Sequence, residues 1–105
     1  MVSQFLHGEQ GALICTAQIA QSVPWVDAKL FAASQVADEA RHVEAYARYL
    51  DTKMPFTFPV NPDLRSLLDF VVADPRWDMT YLGMQIMVEG LALAFFAFQH
   101  RTTSD

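Results

Sequence analysis

Cysteine is nearly absent: Cys15 stands alone among 105 residues, so no disulfide can form within the chain. A reducing compartment is the default for such a sequence, and a cytoplasmic location is expected. Basic residues are scarce too, seven against twelve acidic, for a formal charge of −5. Nucleic-acid binding needs a basic patch to neutralise phosphates, so that class drops out of the expectations. No glycine-rich or low-complexity stretch interrupts the chain, and no alternating apolar–polar run argues for a strand. The opening MVSQFLHGEQ lacks a basic segment followed by an apolar run, so no secretory leader is expected there.

What remains is apolar and helical. Hydrophobic residues make up 52% of the chain, enough for one small core. The spacing predicts a first helix over about Ser3–Ser22 and a second over about Pro24–Leu50, with Pro24 an early helical residue. So short a connection makes the two antiparallel neighbours. DTKMPFTFPVNP, residues 51–62, carries three prolines and cannot continue a helix. Asn61-Pro62 reads as a cap followed by a first-turn proline and opens a short helix to about Ala73. Asp74-Pro75 reads the same way and opens a last long helix to about His100. The expected architecture is all-α: an antiparallel bundle of three long helices and one short one.

Within the last helix, residues 79–99 carry a single charge, Glu89. The stretch is long enough to span a bilayer. A carboxylate at its middle is costly in lipid, so the expectation is the buried helix of a soluble assembly and not a membrane span. Apolar on more than one face, it is expected to bury its second face against a partner chain, which favours a homodimer.

Steps of three and four from one carboxylate on each long helix reach mostly apolar residues. Around Glu9 lie Phe5, Leu6, Ala12, Leu13, Thr16 and Ala20. Around Glu39 lie Phe31, Ala32, Gln35, Val36, His42, Val43, Tyr46 and Leu50. Around Glu89 lie Leu82, Gln85, Ile86, Ala92, Leu93 and Phe96. These are three of the four glutamates in the chain, and no lysine or arginine lies on the three stripes; Arg41 and Arg48 only flank the second. A buried unpaired carboxylate costs several kcal/mol or takes up a proton. Shared divalent cations would compensate all three, and carboxylates with imidazole suit iron, manganese or zinc. Glu39 and His42, at i and i+3, project toward one site. The alternative is a metal-free helix pair with a hydrogen bond between Glu9 and His42.

The segments FLHGEQGA, AKLFAASQVADEARHVEAYARYL and WDMTYLGMQIMVEGLALAFF resemble the ferritin-like superfamily of di-iron carboxylate proteins. The nearest branch holds ribonucleotide reductase small subunits, bacterial multicomponent monooxygenases and p-aminobenzoate N-oxygenase. Members place a Glu on each of two helices and Glu-x-x-His on each of the other two. The resemblance implies that Glu9 ligates one iron, that Glu39 bridges the pair, and that His42 completes the first side. Glu89 would open the second side. A second Glu-x-x-His, expected roughly thirty residues after Glu89 in this pattern, is lacking. The chain thus reads as a single ferritin-like domain, 1–105, incomplete at its C-terminus. The missing ligands would come from a continuation or from a second copy across a two-fold axis.

The implied activity is oxidation of a small-molecule substrate or a side chain with dioxygen at two iron ions. Competing with it are an iron-handling protein without organic substrate and an oligomerisation module with a vestigial metal site. Around the ligands, Asp38 reads either as a carboxylate orienting a ligating histidine or as a solvated group. Gln35 and Gln85, one turn before Glu39 and Glu89, read either as donors to the site or as polar residues at a bundle edge. Tyr46 occupies the position that the resemblance gives to a radical-bearing tyrosine; by its spacing alone it is a core tyrosine. His7 and His100 read as surface or capping groups, and Cys15 as a small core residue.

Overall fold

The computed structural model describes residues 1–102. Four helices follow one another: α1 (Val2–Ser22), α2 (Val26–Lys53), α3 (Pro62–Ala73) and α4 (Trp77–Thr102). No strand occurs among the described residues. This is the all-α chain of three long helices and one short one that the spacing predicts.

α1 and α2 are joined by three residues and pack along their length as a hairpin. Pro24 lies just outside α2, because Trp25 takes an extended conformation (φ −92°, ψ 136°) and serves as the N-cap. Val23 tucks inward at the corner and its N–H donates to Ile19 O. α1 carries no basic residue in its own last turn. Lys29 of α2 supplies one: its Nζ donates to Ala20 O and Gln21 O at 3.3 and 2.9 Å. Two carbonyls orphaned at a helix end thereby gain a cationic partner.

The 54–61 connection runs extended across the start of α1 and is stitched to it. Ser3 Oγ accepts from Phe58 N, Gln4 Nε2 donates to Pro59 O, and His7 Nε2 lies 3.0 Å from Phe58 O. His7 is thus a tether for this strap. At its end Asn61 caps α3 as expected, its side chain accepting from Asp63 N and Leu64 N, with Pro62 in the first turn. Asp74-Pro75 behaves differently. The helix starts two residues later, with Arg76 as N-cap. The Asp74 carboxylate is taken by the Arg76 side chain and the Arg76 backbone N–H, which hold its pKa down at about 2. A carboxylate engaged that way no longer caps.

α3 lies across α1 and α4, and two glycines set how closely. A Cβ on Gly11 would come within 2.6 Å of Leu68 Cδ2, and one on Gly83 within 2.8 Å of Val71 Cγ2. Ala12, Cys15, Leu68, Val71 and Met84 form the core at this crossing. A second cluster, Ile19, Val23 and Ala32, closes the hairpin corner beside Trp77, which meets Trp25 edge to face. Leucine yields at its tip, but a β-branched valine does not. Replacing Gly83 by Leu should therefore cost about 2 kcal/mol by overpacking, read as a lower urea midpoint.

Two features depart from the sequence reading. Residues Leu82–Val88 of α4 form a π-helical segment that ends where Glu89 begins. No proline or other sequence signal marks it. The C-terminal part of α4, Glu89–Thr102, has no buried residue, and Leu93 is 69% exposed. α4 is long and apolar enough to cross a membrane by length and composition, with little of it buried. Phe31 on α2 and Phe70 on α3 are 59% and 74% exposed. The stripe around Glu39 is therefore only partly covered. A broad apolar surface faces outward on three helices.

Candidate metal centre

The hairpin brings Glu9 of α1 opposite Glu39 and His42 of α2. One ligand atom from each of the three lies within 4.8 Å of the others. His42 Nδ1 is 3.2 Å from Glu39 Oε2 and 3.3 Å from Glu9 Oε2, so one ring nitrogen stands between two carboxyl groups. The helical offset of three explains the pairing within α2. The thirty-residue separation across a tight hairpin explains why Glu9 lies at the same height.

The three groups differ in their surroundings. Glu39 is 7% exposed, Glu9 is half-buried, and the His42 side chain is 55% exposed. The cluster thus has an acidic floor and an imidazole at its rim, so His42 is less enclosed than its stripe suggested. Burial raises the pKa of Glu9 to about 7, helped by its hydrogen bond with Glu39 and opposed by the charge of His42. Burial pulls His42 downward, but the charges and hydrogen bonds of Glu9 and Glu39 outweigh it and its pKa is raised. The acids are thus short of cationic charge, and a proton makes up the deficit. A divalent cation at the same atoms would replace that proton, and two carboxylates with an imidazole are a donor set that iron, manganese and zinc accept. The residues present fit such an ion.

Glu89 stands on the other wall. It is half-buried at the end of the π segment and lines, together with Glu9, a cavity of about 450 Å³ between α1, α3 and α4. Burial, then the charge of Glu39, raises its pKa, with His42 acting the other way. The group that meets within 4.8 Å consists of Glu9, Glu39 and His42; Glu89 faces it through its field.

The neighbouring polar residues take specific places. Asp38 turns outward and pairs with Arg41, both exposed, so its carboxylate is engaged away from His42. Gln35 Nε2 donates to Gln85 Oε1 at 3.2 Å, linking α2 to α4 one turn before the two glutamates. That leaves the Gln85 amide nitrogen buried without a partner among the described residues. Tyr46 is half-buried with its ring stacked on Phe5, and its pKa is raised by burial and then by the charge of Glu9. His100 lies exposed at the far end of α4, and Cys15 is fully buried with its thiol pushed up to about 11. Phe5 and Phe96 lie on the stripes of Glu9 and Glu89, but the spacing gives no sign of a cavity between them or of Gly8 and Phe95 on its wall.

Compared with known proteins, the chain matches no family model, no curated protein and no solved structure.

Proposed function

We propose that this chain carries the metal-binding half of a ferritin-like di-iron carboxylate centre of the oxidase or oxygenase type. The observation that carries the reading is the meeting of Glu9, Glu39 and His42 from two helices at one point, with no lysine or arginine to neutralise them. Iron held there would supply oxidation by dioxygen. The chain's own residues divide the work by position. Glu39, the most buried, supplies an acceptor at the floor. Glu9 and His42 close on it from either side and give up a shared proton as a cation enters. Glu89, on the cavity wall, is the third carboxylate, available to a second ion. The Gln35–Gln85 bond holds α2 and α4 in register just before Glu39 and Glu89.

The exposed apolar face of α4 supports the companion proposal of a homodimer, in which a second copy covers Leu91, Leu93 and Phe98. The same face is what favours the second reading, an oligomerisation module without a working centre.

Anaerobic loading with ferrous ion, desalting and metal analysis test the main reading. Retained iron that changes the near-ultraviolet absorption on exposure to air is the expected result, and mass in solution should report a dimer. A chain that retains no iron and stays spectrally flat would sink the proposal.

A further inference from the structure

The cavity between α1, α3 and α4 is present in the metal-free chain. It holds about 450 Å³, within the range of small-molecule sites, and its wall is apolar except for Gln4, Glu9 and Glu89. Phe5 stacks on Phe96 at 4.7 Å and meets Phe95 edge to face at 5.3 Å, giving a wall of rings. Leu64, Leu67 and Val88 furnish more of the wall, and Gly8 leaves a gap: a Cβ built there meets nothing within 4 Å. Among the described residues the polar side chains on the wall are those of Glu9, Glu89 and Gln4. Among the described residues, neither Glu9 nor Glu89 has a lysine or arginine partner.

An apolar pocket with two acids on its wall complements a ligand that is apolar in body and cationic at its head. We propose that the metal-free cavity binds a hydrophobic primary amine, its hydrocarbon body among the phenylalanine rings and its ammonium group between Glu9 and Glu89. The ammonium supplies three donors to carboxylates that otherwise face each other's charge. An aryl or alkyl body fills space lined by carbon. An anionic amphiphile of the same shape would meet both carboxylates head on and be rejected. A neutral alcohol would gain the burial but only an ordinary hydrogen bond.

The full chain, freed of metal with chelator, is titrated calorimetrically with phenylbutylamine, phenylbutanol and phenylbutyrate. The amine should bind about tenfold more tightly than the alcohol, and the carboxylate more weakly than either. Gly8→Leu, which fills the gap from α1, should weaken the amine by about tenfold with helicity unchanged, since leucine is the better helix former. Ala92→Phe fills the same space from α4 and should act alike. Glu89→Gln should bring amine and alcohol to nearly equal affinity. Equal affinities in the unaltered chain, preference for the carboxylate, or no binding at all would overturn the proposal. So would binding indifferent to both Gly8→Leu and Ala92→Phe. Failure here and failure of iron retention are distinguishable, because Glu39 and His42 would hold the metal but do not line the cavity, although Glu9 and Glu89 belong to both.

Discussion

Ferrous or manganous ion at a hundredfold excess over its dissociation constant should raise the thermal midpoint of the metal-free chain by about 10–20 °C. The figure follows from linkage: such an excess is worth about 2.7 kcal/mol, and a domain of this size moves several degrees per kcal/mol. The cation replaces one shared proton among Glu9, Glu39 and His42 and cancels the repulsion that the shifted groups record. Glu39→Ala should abolish the rise, because the most buried of the three acceptors is lost. In the absence of metal the same substitution should leave the midpoint unchanged or higher, since it removes a buried acid whose one basic partner among the described residues is the rim histidine. The two signs distinguish a working centre from a vestigial one. If metal leaves the midpoint unmoved and Glu39→Ala raises it, the chain is a helical module whose site is spent. Differential scanning calorimetry with and without chelator makes the comparison directly.

The pH dependence of stability should have opposite slopes in the two states. Glu9 has its folded pKa raised from 4.5 to about 7, so between those values the folded chain binds more protons than the unfolded one. Stability of the metal-free chain must then fall as pH rises through that window. Glu89 acts in the same direction, its pKa being raised by burial. His42 adds to the trend: the stability from its raised pKa is complete below its ordinary value of 6.5 and is lost as pH climbs past the folded one. After discounting for solvent screening, Glu9 alone accounts for about 2 kcal/mol. A bound metal reverses the sign, since it competes with those protons and is held more tightly as they leave. Urea midpoints at about pH 5 and about pH 8 should therefore cross between chelated and loaded samples. Glu9→Gln, neutral at every pH, should flatten the metal-free slope and stabilise the chelated chain at the alkaline end by about 1–2 kcal/mol. A chelated chain whose stability rises with pH in this window contradicts the account.

Much of this was legible in the order of residues, for identifiable reasons. Asn61-Pro62 marked the start of α3 because a cap and a fixed φ act locally. The same reasoning misplaced the start of α4, where Asp74 found a stronger local partner in Arg76 than in a helix terminus. Glu39 and His42 were paired by an offset of three, and Glu9 by the length of the hairpin. Asp38, one residue away from Glu39, points elsewhere because a single helical step turns by about 100°. Gln35 and Gln85, one turn before two of the acids, bond to each other across α2 and α4, a pairing that no spacing along the chain announces.

The sequence by itself determined the helices, their order, and the three groups that meet at the hairpin, since these depend on periodicity and on distances along one chain. Only the tertiary structure decided how far Glu89 stands from that meeting point, which faces stay bare, and that an apolar cavity opens beside the acids. Those depend on how α3 crosses two glycines and on a π segment in α4, and neither crossing geometry nor a local change of helical pitch is written in the spacing of apolar residues.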